Sequence, residues 1–168
     1  MPVSPAVAAE EVIPVQHAVA PTVRPKPLAV LQKVFGYSSF RGKQQAVIET
    51  LVDGNDAVVL FPTGAGKSLC YQIPALCRRG VGIVVSPLIA LMKDQVGALR
   101  AAGVQAAALN STLSPEEQDS IRSALRRGEI DLLYVTPERL GTESFRKFLD
   151  TLQIALFAID EAHCVSQW

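Results

Sequence analysis

Residues 56–76 read "DAVVLFPTGAGKSLCYQIPAL", and the parsing of that stretch decides the fold. Its first six residues form an apolar run of strand length, a glycine-rich segment follows, and "SLCYQIPAL" resumes as a helix. In that order the glycine loop is one in which backbone N–H groups converge on an anion. Gly64 and Gly66 permit close backbone approach, and Thr63 and Ala65 complete the cradle. Lys67 supplies a point charge for the β and γ phosphates of a nucleotide, and the Ser68 hydroxyl is a candidate Mg²⁺ ligand. The strict phosphate-loop pattern asks for glycine where Phe61 stands. An ordinary glycine turn is the competing reading, and the lysine and hydroxyl in register argue against it.

Outward from this loop the chain alternates steadily. Upstream, "LAVLQKVFG" and "GKQQAVIETLVDG" are expected as helices closed by glycine. Downstream come "VGIVVS" as a buried strand, "LIALMKDQVGALRAAG" as a helix, "VQAAAL" as a weaker strand and "SPEEQDSIRSALRRG" as a helix. That last helix shows its start openly, with Ser114 as N-cap, Pro115 in the first turn and Glu117 closing a capping box. "DLLYVT", a helix near "TESFRKFLDTL" and "IALFAID" finish the series. Apolar strands bounded by helices indicate an α/β fold with a parallel sheet covered on both faces. Ligands of such sheets lie at the carboxyl ends of the strands.

The strand "IALFAID" delivers a second candidate to that edge. Asp160 is placed to hold Mg²⁺ directly or through water, and Glu161 to orient or deprotonate a water attacking the γ-phosphate. A solvated acidic strand end is the plainer reading, and the phosphate loop upstream weighs against it. His163 either links the hydrolysis site to a neighbouring lobe or satisfies a backbone carbonyl.

Composition bounds the remaining possibilities. The 168 residues are 49% hydrophobic, enough for one domain with a real core. Sixteen basic residues balance sixteen acidic ones, so net charge does not point to a polyanion partner. Three cysteines, Cys70, Cys77 and Cys164, with no C-x-x-C spacing, argue against a disulfide framework or zinc site. A cytoplasmic setting is expected, at the nucleoid in a bacterium. No apolar run approaches the roughly 18 residues a membrane helix needs, and the N-terminus lacks signal-peptide character. Residues 1–27 hold six of the eleven prolines and are expected to be a disordered extension, leaving 28–168 as the compact unit.

"FGYSSFRGKQQAVI", "FPTGAGKSLCYQIPAL", "SPLIALMKDQV", "TPERL" and "AIDEAHCVSQW" together resemble the successive motifs of the RecQ DNA helicases, in order and at fitting spacings. The "x-P-T-G-x-G-K-S" form of the loop is common in helicase-type motor ATPases. The resemblance runs from about Leu28 to Trp168; "CVSQW" and "GKSLCYQ" are its most specific parts. Ala65 replaces the glycine usual in the family, and "GK" occupies positions 42 and 43 of the first motif.

The resemblance implies a RecA-like P-loop NTPase lobe, incomplete at its C-terminus, from an ATP-dependent 3′-to-5′ DNA helicase of recombination and repair. It implies ATP and Mg²⁺ as cofactors, single-stranded or forked DNA as partner and a second RecA-like lobe elsewhere. Tyr37 would stack on adenine while Arg41 and Gln44 contact the base. By residue chemistry alone, Tyr37 could equally be a half-buried core aromatic and Gln44 a solvated helix residue. Ser86, Lys93, Thr136 and Arg139 resemble residues that hold DNA phosphates without reading bases. Trp168 opens what is an aromatic-rich DNA-coupling loop in the family, or is a plain hydrophobic anchor. Two further classes remain: another P-loop phosphotransferase, and a short module that binds nucleotide or DNA without turnover.

Overall fold

The computed structural model describes residues 24–62 and 64–167. Four strands form one sheet: β1 (Val81–Val85), β2 (Ala106–Leu109), β3 (Leu132–Val135) and β4 (Ile154–Ile159), in the order β2-β3-β1-β4. Every pairing is parallel, with Ile83 opposite Leu133 on one side and Phe157 on the other. All five residues of β1 are buried, which accounts for an unbroken apolar run in place of the alternation of a half-solvated strand.

Among the described residues seven α-helices accompany the sheet. α1 (Pro27–Val34), α2 (Gln44–Val52) and α3 (Leu69–Cys77) precede β1; α4 (Ile89–Ala101) joins β1 to β2; α5 (Pro115–Arg126) joins β2 to β3; α6 (Pro137–Gly141) and α7 (Glu143–Leu149) join β3 to β4. The chain leaves β1 toward β2 in one direction along the sheet and then returns through β3 to β4. Right-handed crossovers require those two directions to use opposite faces. The packing agrees. Tyr71 and Ala75 of α3 and Met92, Val96 and Leu99 of α4 lie on one face with Val84 and Tyr134. Leu125 of α5 and Phe145 and Phe148 of α7 lie on the other with Ile83 and Val135. α1 and α2 add a third layer, with Leu31 and Ile48 packed on Ile73 of α3.

The α/β expectation and the helix and strand assignments above hold, with one correction. The run 56–61 is not a strand: its backbone pairs with nothing among the described residues, and Val58 and Leu60 are 92% and 91% exposed. A strand is stable only when a neighbour takes its N–H and C=O groups and its side chains. β4, the edge strand on that side of β1, keeps Phe157 and Ile159 half-exposed rather than covered. Residues 1–23, most of the expected extension, lie outside the described residues. Among the described residues no helix is long and apolar enough to cross a membrane.

Local rules explain the element ends. Ser114 accepts from Glu117 N (3.2 Å) while Glu117 Oε2 accepts from Ser114 N (2.8 Å), the reciprocal capping box expected. Gly36 and Gly54, after α1 and α2, take positive φ of 73° and 89°, as expected of helix-closing glycines.

Candidate nucleotide site

The phosphate loop is held from behind by α2. Gln44 is buried; its Oε1 accepts from Arg41 N (2.8 Å), and its Nε2 donates to the carbonyls of Gly66 (3.2 Å) and Ala65 (3.4 Å). Gly66 has φ of +74°, and a Cβ there would run into Gln44 Nε2. The positive φ favours glycine at 66, and a Cβ would displace the Gln44 amide from the loop. Gly64, also at positive φ (+78°), has open space around it. Gln44 thus spends its amide on the loop backbone, a role the expectation of adenine contact did not include. A small cavity of about 80 Å³ lies between these parts, lined by Tyr37, Arg41 and Gln44 on one side and Gly64, Ala65 and Gly66 on the other. Tyr37 is half-exposed, with the Arg41 guanidinium 5.8 Å from its ring centroid. An open aromatic face beside a guanidinium can accept a stacked base.

Ser68 stands at the N-cap of α3 and makes no capping hydrogen bond. It has φ of −60° and ψ of −35°, already helical, so its hydroxyl is not committed to the helix end and is left for another oxygen-seeking partner. Lys67 precedes it, partly buried. Thr63 lies outside the described residues.

Parallel pairing brings the second motif to the same edge. Asp160 N donates to Val85 O (2.9 Å) and Ser86 N to Val135 O (3.0 Å), so Ser86, Thr136 and Asp160 stand side by side at the carboxyl ends of β1, β3 and β4. Asp160 Oδ1 accepts from Glu161 N (3.0 Å), and Oδ2 lies 3.3 Å from the Tyr71 hydroxyl of α3. Glu161 is the only described non-glycine residue at positive φ (54°). That left-handed conformation costs a β-carbon residue of order 1 kcal/mol. His163, exposed, has Nδ1 3.4 Å from Glu161 Oε2, so the histidine faces the second carboxylate.

The four residues expected at DNA phosphates divide. Lys93 is exposed on α4. The hydroxyls of Ser86 and Thr136 are buried and used locally, accepting from Leu88 N (3.4 Å) and Arg139 N (3.4 Å). Arg139 donates to Gln118 Oε1 (2.9 Å), and burial pulls its pKa below the usual arginine value, with Arg122 nearby adding to the shift. Trp168 lies outside the described residues. Among the described residues no group of three metal-ligating side chains comes together.

Tyr71 and Gln95 escaped sequence reasoning. Burial first, then the nearby Tyr134 and Asp160, push the Tyr71 phenol far above its ordinary value, so it stays protonated. Nothing in a one-letter string marks a helix tyrosine whose hydroxyl reaches a carboxylate 89 residues on.

A glycine loop entering a helix, set against a carboxylate at the end of a central parallel sheet, defines a P-loop nucleotide-binding lobe of the RecA-like class. Residues 41–168 match the DEAD/DEAH box helicase model, and the chain belongs to that family, in its RecQ branch. It is 51% identical over 145 residues to the ATP-dependent DNA helicase RecQ of Haemophilus influenzae, covering 86% of this chain and 23% of that protein. It is 48% identical over 141 residues to ATP-dependent DNA helicase RecQ of Bacillus subtilis, covering 83% of this chain and 24% of that protein. It is 48% identical over 148 residues to ATP-dependent DNA helicase Q5 of Rattus norvegicus, covering 83% and 15%. The chain therefore spans about a quarter or less of the length of these relatives.

Proposed function

We propose that residues 28–168 form the first motor lobe of a cytoplasmic ATP-dependent helicase that unwinds single-strand-tailed or forked DNA with 3′-to-5′ polarity, in recombination and repair. The observation that carries it is the shared edge: the phosphate loop braced by Gln44 and the Asp160–Glu161 pair are joined through one tyrosine of α3. Lys67 and the loop N–H groups hold the β and γ phosphates, Tyr37 and Arg41 take the adenine, and Gln44 sets the loop. Ser68 and Asp160 fit Mg²⁺ by chemistry, two hard oxygen donors of which one is left uncapped. When bound, that ion neutralises phosphate charge at the bond that breaks. Glu161 orients the attacking water and takes its proton, and His163 beside it carries the state of the site outward.

The second lobe supplies an arginine, worth about 10³ to 10⁵ in rate for arginine fingers generally. DNA phosphates run past Lys93 and the strand ends carrying Ser86 and Thr136, with Arg139 and Trp168 at the margins. By itself the 168-residue chain binds Mg-nucleotide weakly and unwinds negligibly. The test is ATP hydrolysis by the native polypeptide, with and without single-stranded DNA and with small-molecule phosphate acceptors. Stimulation by DNA supports the helicase; transfer to an acceptor replaces it with a phosphotransferase; binding without turnover replaces it with a non-catalytic module.

A further inference from the structure

The Tyr71 hydroxyl lies 2.8 Å from Gln95 Oε1 and 3.3 Å from Asp160 Oδ2. A phenol carries one proton and cannot donate to two acceptors at once. Turning the Gln95 amide by 180° exchanges its oxygen and nitrogen without moving the group, which is the ordinary ambiguity of such amides. Gln95 Nε2 then donates to the tyrosine oxygen, and the tyrosine proton goes to Asp160. In that arrangement the tyrosine oxygen accepts, its proton is donated, and Asp160 Oδ2 has a donor. In the other, a phenol lone pair faces a carboxylate within a mostly buried site, which is unfavourable.

The groups in this chain are rigidly mounted. The Tyr71 ring is in the core cluster with Met92 and Val96 of α4, and only 9% of the residue is exposed. Tyr134, fully buried on β3, accepts from Gln72 Nε2 (3.1 Å), so the residue next to Tyr71 on α3 is also pinned. Two residues along a helix are about 200° apart. α4 therefore presents Lys93 to solvent and Gln95 to Tyr71, as their exposed and partly buried states agree. One helix faces the proposed DNA path on one side and, on the other, the tyrosine that reaches Asp160.

We propose that Tyr71 is a positioning residue in a relay, Gln95 Nε2–H to Tyr71 Oη and Tyr71 Oη–H to Asp160 Oδ2, by which displacement of α4 on DNA binding reorients the Asp160 carboxylate. The inference rests on the helicase reading and adds the path by which DNA reaches the hydrolysis site. Asp160 Oδ1 is tied to the backbone N–H of Glu161, so Oδ2 is the oxygen whose partner a moving helix can change.

The test uses the native polypeptide. Tyr71→Phe keeps the ring and removes the hydroxyl; equal thermal midpoints and an unchanged Kd for a fluorescent ATP analogue establish that fold and loop survive. Loss of a charge-assisted hydrogen bond predicts that DNA-stimulated kcat falls by about 10-fold and that the Mg²⁺ concentration for half-maximal rate rises several-fold. Gln95→Met shifts both in the same direction by less, and the double variant is no worse than Tyr71→Phe alone, because members of one relay are not additive. Gln95→Glu, an acceptor only, competes with Asp160 for the single proton and is worse than Gln95→Met. Wild-type DNA stimulation and Mg²⁺ dependence in Tyr71→Phe, or additive losses in the double variant, overturn the relay and leave the helicase reading standing. Absence of DNA-stimulated hydrolysis in the wild type overturns both.

Discussion

Two apolar pentapeptides of similar composition, "VGIVV" at Val81–Val85 and "AVVLF" at 57–61, meet opposite fates. The first is β1, paired on both sides and wholly buried. The second runs unpaired into the phosphate loop, with Val58 and Leu60 in solvent. By composition alone both are good strands. What separates them is a neighbour. β1 has β3 and β4 to take its backbone groups, whereas no described strand accepts 56–61.

The sharpest way to break the comparison is to truncate one side chain in each. Ile83→Ala, fully buried, should destabilise the chain by about 2 to 5 kcal/mol in denaturant unfolding. Leu60→Ala, 91% exposed, should change it by less than about 0.5 kcal/mol. The same pair in the native polypeptide sharpens the point: a Leu60→Ala cost that rises toward the Ile83 value would mean that another segment pairs with 56–61 there.

A second test concerns the loop at the end of that segment. Gly66→Ala combines a positive φ with a clash against Gln44, and should lower nucleotide affinity at least about 10-fold and cost over about 1 kcal/mol of stability. Gly64→Ala, strained but uncrowded, should be milder in titrations with a fluorescent ATP analogue.

Two helix-starting serines give a smaller contrast. Ser114→Ala removes a capping box and should cost about 1 kcal/mol. Ser68→Ala removes no cap, so its melting temperature should stay near that of the parent while Mg²⁺-dependent nucleotide binding weakens. A stability loss equal to that of Ser114→Ala would return Ser68 to a structural role.

The smallest effect is in thiol chemistry. Burial raises the Cys70 and Cys77 thiols, on the helix after the loop, from 9.0 to about 11. Both states hold the proton below pH 9, so these thiols favour neither there. Between about pH 9 and 11 the unfolded thiols ionise first, and stability falls as pH rises. At pH 8 both should resist iodoacetamide until the chain unfolds; rapid alkylation of Cys70 would show α3 opening together with the unpaired segment.

Much of this architecture is legible in the sequence. The helix over Pro115–Arg126 declares its own start through Ser114 and Glu117, a rule local to four residues, and it forms as written. The loop 61–68 was legible because phosphate binding needs glycines, a lysine and a hydroxyl in a short span. The Tyr71 contacts were not, since they join residues 24 and 89 positions apart. Nor was the local use of Ser86 and Thr136, whose hydroxyls are buried at the strand ends they were expected to expose.

The sequence by itself determined the alternation of helix and strand, the parallel sheet and the two motifs at its carboxyl edge, because periodicity, caps and turn chemistry act within a few residues. Only the tertiary structure decided which apolar run pairs, that Gln44 braces the loop and that one tyrosine hydroxyl stands between Gln95 of α4 and Asp160. Pairing and burial depend on which distant groups arrive alongside, and no single segment carries that information.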